Sequence, residues 1–152
     1  NSTTYYRVAA SCDASTYDQY SNIITITVPT GTKYVATTGS NSNDGNSSGA
    51  PYLTLEYAIS QATCGYTINV AAGTYTDDKL DLTSSHDGIS IVGAGMESTI
   101  FDQSGTGDHF MEIKSSATNI TISDIKIMDY DEAAHGGAVD IDCDGTVTFQ
   151  EI

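Results

Sequence analysis

The sequence predicts an all-β coiled stack of strands entered through one short helix, with a separate strand pair ahead of it. Three observations point there. An apolar alternation returns as Ile68-Asn69-Val70, Ile89-Ser90-Ile91, Ile120-Thr121-Ile122 and Val147-Thr148-Phe149, and in each the first and third side chains face one way. A second series runs beside it as Leu80-Asp81-Leu82, Ile100-Phe101 and Ile125-Lys126-Ile127, and a third starts later, with Phe110 to Ile113 and then Val139-Asp140-Ile141. Recurrence at roughly 20 to 30 residues is what stacked coils produce. The expected boundaries are residues 1–30 for the strand pair and residues 31–152 for the stack.

Taken in order, Thr4 to Ala10 alternates, Asp13 to Asn22 is turn-like, and Ile23 to Val28 is rich in β-branched residues, which favours two strands. Pro29-Thr30-Gly31-Thr32 punctuates the boundary. A hairpin this small holds no core alone. Lys33 to Thr37 reads as a short strand, and Gly39 to Gly49 as a polar loop. Leu55, Ala58, Ile59 and Ala62 then fall on one helical stripe, with Thr54 placed to cap it. In the coils that follow, Ile68 and Val70, Ile89 and Ile91, and Ile120 and Ile122 are expected to stack inward. Asn69, Ser90 and Thr121 are expected to form an outward polar ladder.

Two resemblances sit on these residues. Thr4-Tyr5-Tyr6-Arg7-Val8 with Ser21 to Val28 resembles the last two strands of a fibronectin type III or immunoglobulin-like module, which implies a fragment of a modular surface protein. Tyr34-Val35-Ala36, the Gly39 to Gly49 loop, Pro51-Tyr52-Leu53-Thr54, the helix and Ile68 to Tyr75 resemble the start of a right-handed parallel β-helix of the pectate-lyase-like superfamily. Ile89 to Gly95 and Thr99-Ile100-Phe101-Asp102 extend that match. In that family the early helix plugs the N-terminal mouth of the stack. Gly136-Gly137-Ala138-Val139 further resembles an element of bacterial surface β-helices such as autotransporter passengers. The implied fold is all-β: a right-handed parallel β-helix with a short N-terminal capping helix.

Composition narrows the function. Twenty acidic side chains stand against five basic ones, for a net charge of −15. Such a surface repels phosphate backbones and anionic membranes, so no nucleic-acid partner is expected. No apolar run approaches the roughly 18 residues that span a bilayer. Abundant Tyr, Gly, Ser, Thr and Asn with scarce Lys and Arg suits a secreted or cell-surface protein. Of the three cysteines, Cys12, Cys64 and Cys143, a Cys64–Cys143 bridge is the expected pairing, set against three buried thiols.

Asp140 to Glu151 places Asp at calcium-loop positions one, three and five, Gly at six and Glu at twelve. The context opposes a helix-loop-helix, because His135-Gly136-Gly137 would enter it. The same residues fit a coil in which Val139, Ile141, Val147 and Phe149 point inward. Asp140, Asp142 and Asp144 then make a shallow candidate site for calcium, the one cofactor considered, set against a solvated acidic face. Asp129, Asp131 and Glu132, and Asp77, Asp78 and Asp81, are further acidic clusters. His86, His109 and His135 recur about one coil apart and could share an edge as a metal or proton site, set against unrelated corner residues.

Pectate-lyase-like chemistry implies an Arg or Lys that abstracts a proton with calcium's help. Here the single Arg7 precedes the stack, and Lys79, Lys114 and Lys126 share no site, so no catalytic residue is assigned and an enzyme is not favoured. The leading expectation is an extracellular or cell-surface structural or adhesive protein: a stalk, adhesin or filament component. Its expected partners are glycans, and further domains or other copies at an open C-terminal coil. The alternatives are a fragment of a secreted polysaccharide lyase or hydrolase, and a calcium-dependent assembly module.

Overall fold

The computed structural model describes residues 30–77, 79–103, 109–130, 138–143 and 145–152. The strand pair expected before residue 30 lies outside these. In chain order come β1 (Thr32–Val35), α1 (Leu55–Ser60), β2 (Thr67–Val70), β3 (Gly73–Tyr75) and β4 (Leu80–Leu82), then a 3₁₀ turn (Ser84–His86). There follow β5 (Ser90–Val92), β6 (Thr99–Asp102), β7 (Met111–Ile113), β8 (Ile120–Ser123), β9 (Lys126–Met128), β10 (Val139–Ile141) and β11 (Val147–Gln150).

Every pairing between these strands is parallel, and the strands sort into three sheets ordered β1-β2-β5-β8-β11, β3-β6-β9 and β4-β7-β10. Three successive turns, β2-β3-β4, β5-β6-β7 and β8-β9-β10, each give one strand to each sheet, which is a parallel β-helix. Alternation along each strand sends one side-chain set inward. Ile68, Ile91 and Ile122 are mutual partners across β2, β5 and β8, and all are fully buried. Inside the stack an aromatic column links the coils: Tyr75 stacks on Phe101 at 5.1 Å, and Phe101 meets Phe110 at 4.8 Å.

Register corrects two expectations. Ile68 pairs with Ile91, not Ile89, so Asn69 sits beside Val92. The outward rows are Thr67-Ser90-Thr121-Thr148 and Tyr34-Asn69-Val92-Ser123. A slip of two residues keeps every side chain on its face, so alternation alone does not choose between them. The strand series also regroup. Leu80-Asp81-Leu82 belongs with β7 and β10, while β6 and β9 stack on β3.

The helix forms as its stripe requires. Thr54 Oγ1 accepts a hydrogen bond from the Tyr57 amide at 3.2 Å, and Leu55, Ala58, Ile59 and Ala62 are buried. α1 packs on β1, β2 and β4 at the first coil. The outer edge of β1 is covered by the 39–52 loop. Tyr34 donates to the Gly45 carbonyl, and Tyr52 and Ala36 complete a bridge along the strand. This hides the row of backbone groups that an edge strand would otherwise offer.

At the other end the inward pattern persists with its apolar side chains partly exposed. Val139 and Ile141 stand opposite Met111 and Ile113, and Val147 and Phe149 opposite Ile120 and Ile122. Ile141 is nevertheless 47% exposed and Phe149 37%. Among the described residues no strand lies on the far side of β10 or β11.

Candidate functional site

A groove of about 280 Å³ lies where β1, β2 and β5 end, walled by the loop that covers β1. Tyr34, Asn69 and Val92 come to it as register partners from three successive strands. Ala36, Ala71 and Ala94 continue the floor as the chain leaves the sheet, and Ser48 and Pro51 reach it from the loop.

The loop is held by its own polar groups. Lys33 Nζ donates to Asn46 Oδ1 at 2.9 Å and to the Asp44 carbonyl at 3.1 Å, and lies 5.5 Å from the Tyr52 ring centre. Tyr52 Oη donates to the same Asp44 carbonyl at 2.8 Å. Asn43 Nδ2 donates to the Pro51 carbonyl at 2.7 Å, while Asn41 Oδ1 accepts from the Leu53 amide at 2.9 Å. Gly45 is required where it stands: its φ is +64°, and an added Cβ would lie 2.2 Å from the Tyr52 ring. The sequence marks this loop as polar and singles out none of the groove residues. Their only signal was the shared register of Tyr34, Asn69 and Val92, which the sequence left unresolved.

A second outward feature is acidic. Asp81, Glu112 and Asp140 are partners across β4, β7 and β10. Lys114 Nζ lies 3.3 Å from the Asp81 carboxylate and 3.4 Å from that of Glu112. Its pKa is raised by the Asp81 hydrogen bond and charge, with Glu112 adding to this. At such exposure the pairs contribute little stability. They do blunt the repulsion of like charges set directly opposite one another.

Of the candidate calcium ligands, Asp140 lies on β10, and Asp142 follows it with its amide donating to the Ile113 carbonyl. Both are exposed, and Asp144 lies outside the described residues. Among the described residues no three His, Cys, Asp or Glu side chains are placed to hold a metal together. The calcium-loop pattern itself is built into β10 and β11, strands of two different sheets.

His86 and His109 occupy different corners, before β5 and before β7, so they do not share an edge; His135 lies outside the described residues. His86 Nδ1 accepts from the Thr83 amide at 3.1 Å. Burial holds its pKa below the ordinary value, opposed by a hydrogen bond with the Ile59 backbone. This histidine fastens a corner to α1. In the acidic groups, Asp78, Asp131 and Glu132 lie outside the described residues. Asp77 Oδ1 accepts from the Glu56 amide at 3.0 Å, and burial pushes its carboxyl above the usual range. Beside it, burial and then the Asp77 charge push the Tyr75 phenol up to about 12.

The cysteine expectation is corrected. Cys64 is disulfide-bonded and Cys143 is a free thiol, half-buried at the start of the β10–β11 connection. The two lie on opposite ends of the stack, Cys64 before β2 and Cys143 after β10. Coils separate them, as sequence distance alone does not reveal.

No significant match was found among curated proteins or among solved structures. A family model described as "Protein of unknown function (DUF1565)" matches residues 37–134. That span runs from the loop over β1 through α1 and the coils to β9, and on this match the chain belongs to the DUF1565 family.

Proposed function

We propose that this chain is an extracellular or cell-surface structural or adhesive protein, whose β-helix serves as a stalk or contact surface. The observation that carries the reading is the in-register stacking of coils through three parallel sheets. Such a solenoid is quasi-one-dimensional and presents long, regular outward rows suited to extended partners. Two further features support it. An oxidised Cys64 fits compartments outside the reducing cytosol. A charge of −15 keeps a long β surface soluble and self-repelling. The pectate-lyase-like and fibronectin-like resemblances belong to the same proposal, with residues 1–30 as the end of a preceding sandwich module.

The test is surface labelling of intact source cells with a membrane-impermeant biotin reagent, followed by immunodetection. Recovery of labelled protein from intact cells and from the medium is expected. Recovery from the cytosolic fraction alone would overturn the proposal. Release of new reducing ends from polysaccharide by the isolated protein would instead favour a lyase or hydrolase.

A further inference from the structure

We infer that the groove at the ends of β1, β2 and β5 is a binding site for a neutral saccharide. This rests on the contact-surface reading above and gives it a place and a ligand class. The groove is concave and mostly apolar, with few polar groups, which is the usual make-up of a small-ligand site. Tyr34 supplies an aromatic side chain, Asn69 a planar amide and Ser48 a hydroxyl, while Val92 and Pro51 supply apolar surface. Sugars combine apolar C–H faces with hydroxyls that both donate and accept. An amide does both as well, and so does a hydroxyl. Tyrosine joins an apolar body to a polar tip.

Charge selects among ligands. Among the described residues no Asp, Glu, Lys, Arg or His lines the groove, in a chain of net charge −15. A polyanion would meet a repulsive field, and a cation would find no carboxylate there to pair with. A neutral ring meets neither obstacle. The walls are also preorganised, because the Lys33, Asn41, Asn43 and Tyr52 hydrogen bonds fix the loop before any ligand arrives. A loop already ordered loses less entropy on binding.

The test is ligand-observed saturation-transfer NMR, with titration calorimetry, on the full chain. The probes are three neutral tetrasaccharides, of β-linked glucose, mannose and N-acetylglucosamine, with tetragalacturonate as the anionic comparator. At least one neutral probe is expected to bind at millimolar concentration, in preference to the anion. Ala94→Trp, which fills the groove from an exposed position, should weaken that binding by at least about tenfold, and Asn69→Ala should also weaken it. Thermal unfolding of both variants checks that they fold. Failure of all three neutral probes overturns the inference, as does undiminished binding by folded Ala94→Trp. Surface labelling of cells is independent of this result, so loss of the groove ligand leaves the localisation reading to its own test.

Discussion

A methyl group at Gly93 would lie 2.0 Å from the Asp124 carbonyl oxygen, because the next coil's backbone runs directly against this residue. Neither backbone yields easily inside a stack. Gly93→Ala should therefore cost about 1–3 kcal/mol, as overpacking does, read as a lower urea midpoint at unchanged slope. Gly49→Ala, whose nearest neighbour would be 3.9 Å away, should change little. Asp77 gives a prediction in pH. Its carboxyl is raised above the ordinary 3.8 by burial, against the help of the Glu56 amide. The folded chain thus binds this proton more tightly than the unfolded chain. The contribution is fully present below pH 3.8 and is lost as pH rises through the folded value. Asp77→Asn keeps an acceptor for Glu56 and removes the charge. Its urea stability should equal or exceed the parent's at neutral pH, with a smaller decline from acid to neutral. An unchanged pH dependence would show that Asp77 is not the titrating group.

The elements are short, and their ends matter more than their middles. A six-residue helix is too brief to stand by propensity. It depends on the Thr54 cap, the Asp77 carboxylate at the Glu56 amide and the burial of Leu55, Ala58 and Ile59. Thr54→Ala should cost about 1 kcal/mol, the usual effect of a lost N-cap, and Thr54→Ser should restore most of it in thermal melts. The strands likewise depend on their corners. Gly65, Gly88 and Asn119 precede β2, β5 and β8 at equivalent register positions, each with positive φ, at 70°, 70° and 56°. Their row bends the coils at one edge. Gly65 donates to the Asp87 carbonyl of the next coil, and Gly88 to that of Thr118. Glycine and asparagine tolerate this left-handed conformation far better than other residues. That row is present in the sequence but not legible there, because two glycines and an asparagine do not announce a period.

Stability of the stack as one body is tested through its interior. Ile91 lies between Ile68 and Ile122 with no exposed surface. Ile91→Asp buries an unpaired carboxylate at a cost of several kcal/mol. Each coil depends on its neighbours, so the effect should spread through β2, β5 and β8. Circular dichroism should show loss of the cooperative transition. Ser90→Asp, one residue away on the half-buried outward face, should melt close to the parent. Equal damage from both would reverse the inward and outward assignment.

The class of fold, the capping helix and the identity of the inward residues were legible because they are local. A period of two marks a strand face, a period near 3.6 marks a helix stripe, and both survive without knowledge of any partner. Register was not legible, since pairing Ile68 with Ile89 or with Ile91 buries the same apolar faces. The backbone pairing settles it, and with it the meeting of Tyr34, Asn69 and Val92 in a groove. The acidic row Asp81-Glu112-Asp140 emerged the same way, from residues the sequence divided between two series. Cysteine pairing was equally a matter of distance through space. Chain chemistry dictated which side chains could be buried, while the stacking of coils dictated which of them became neighbours.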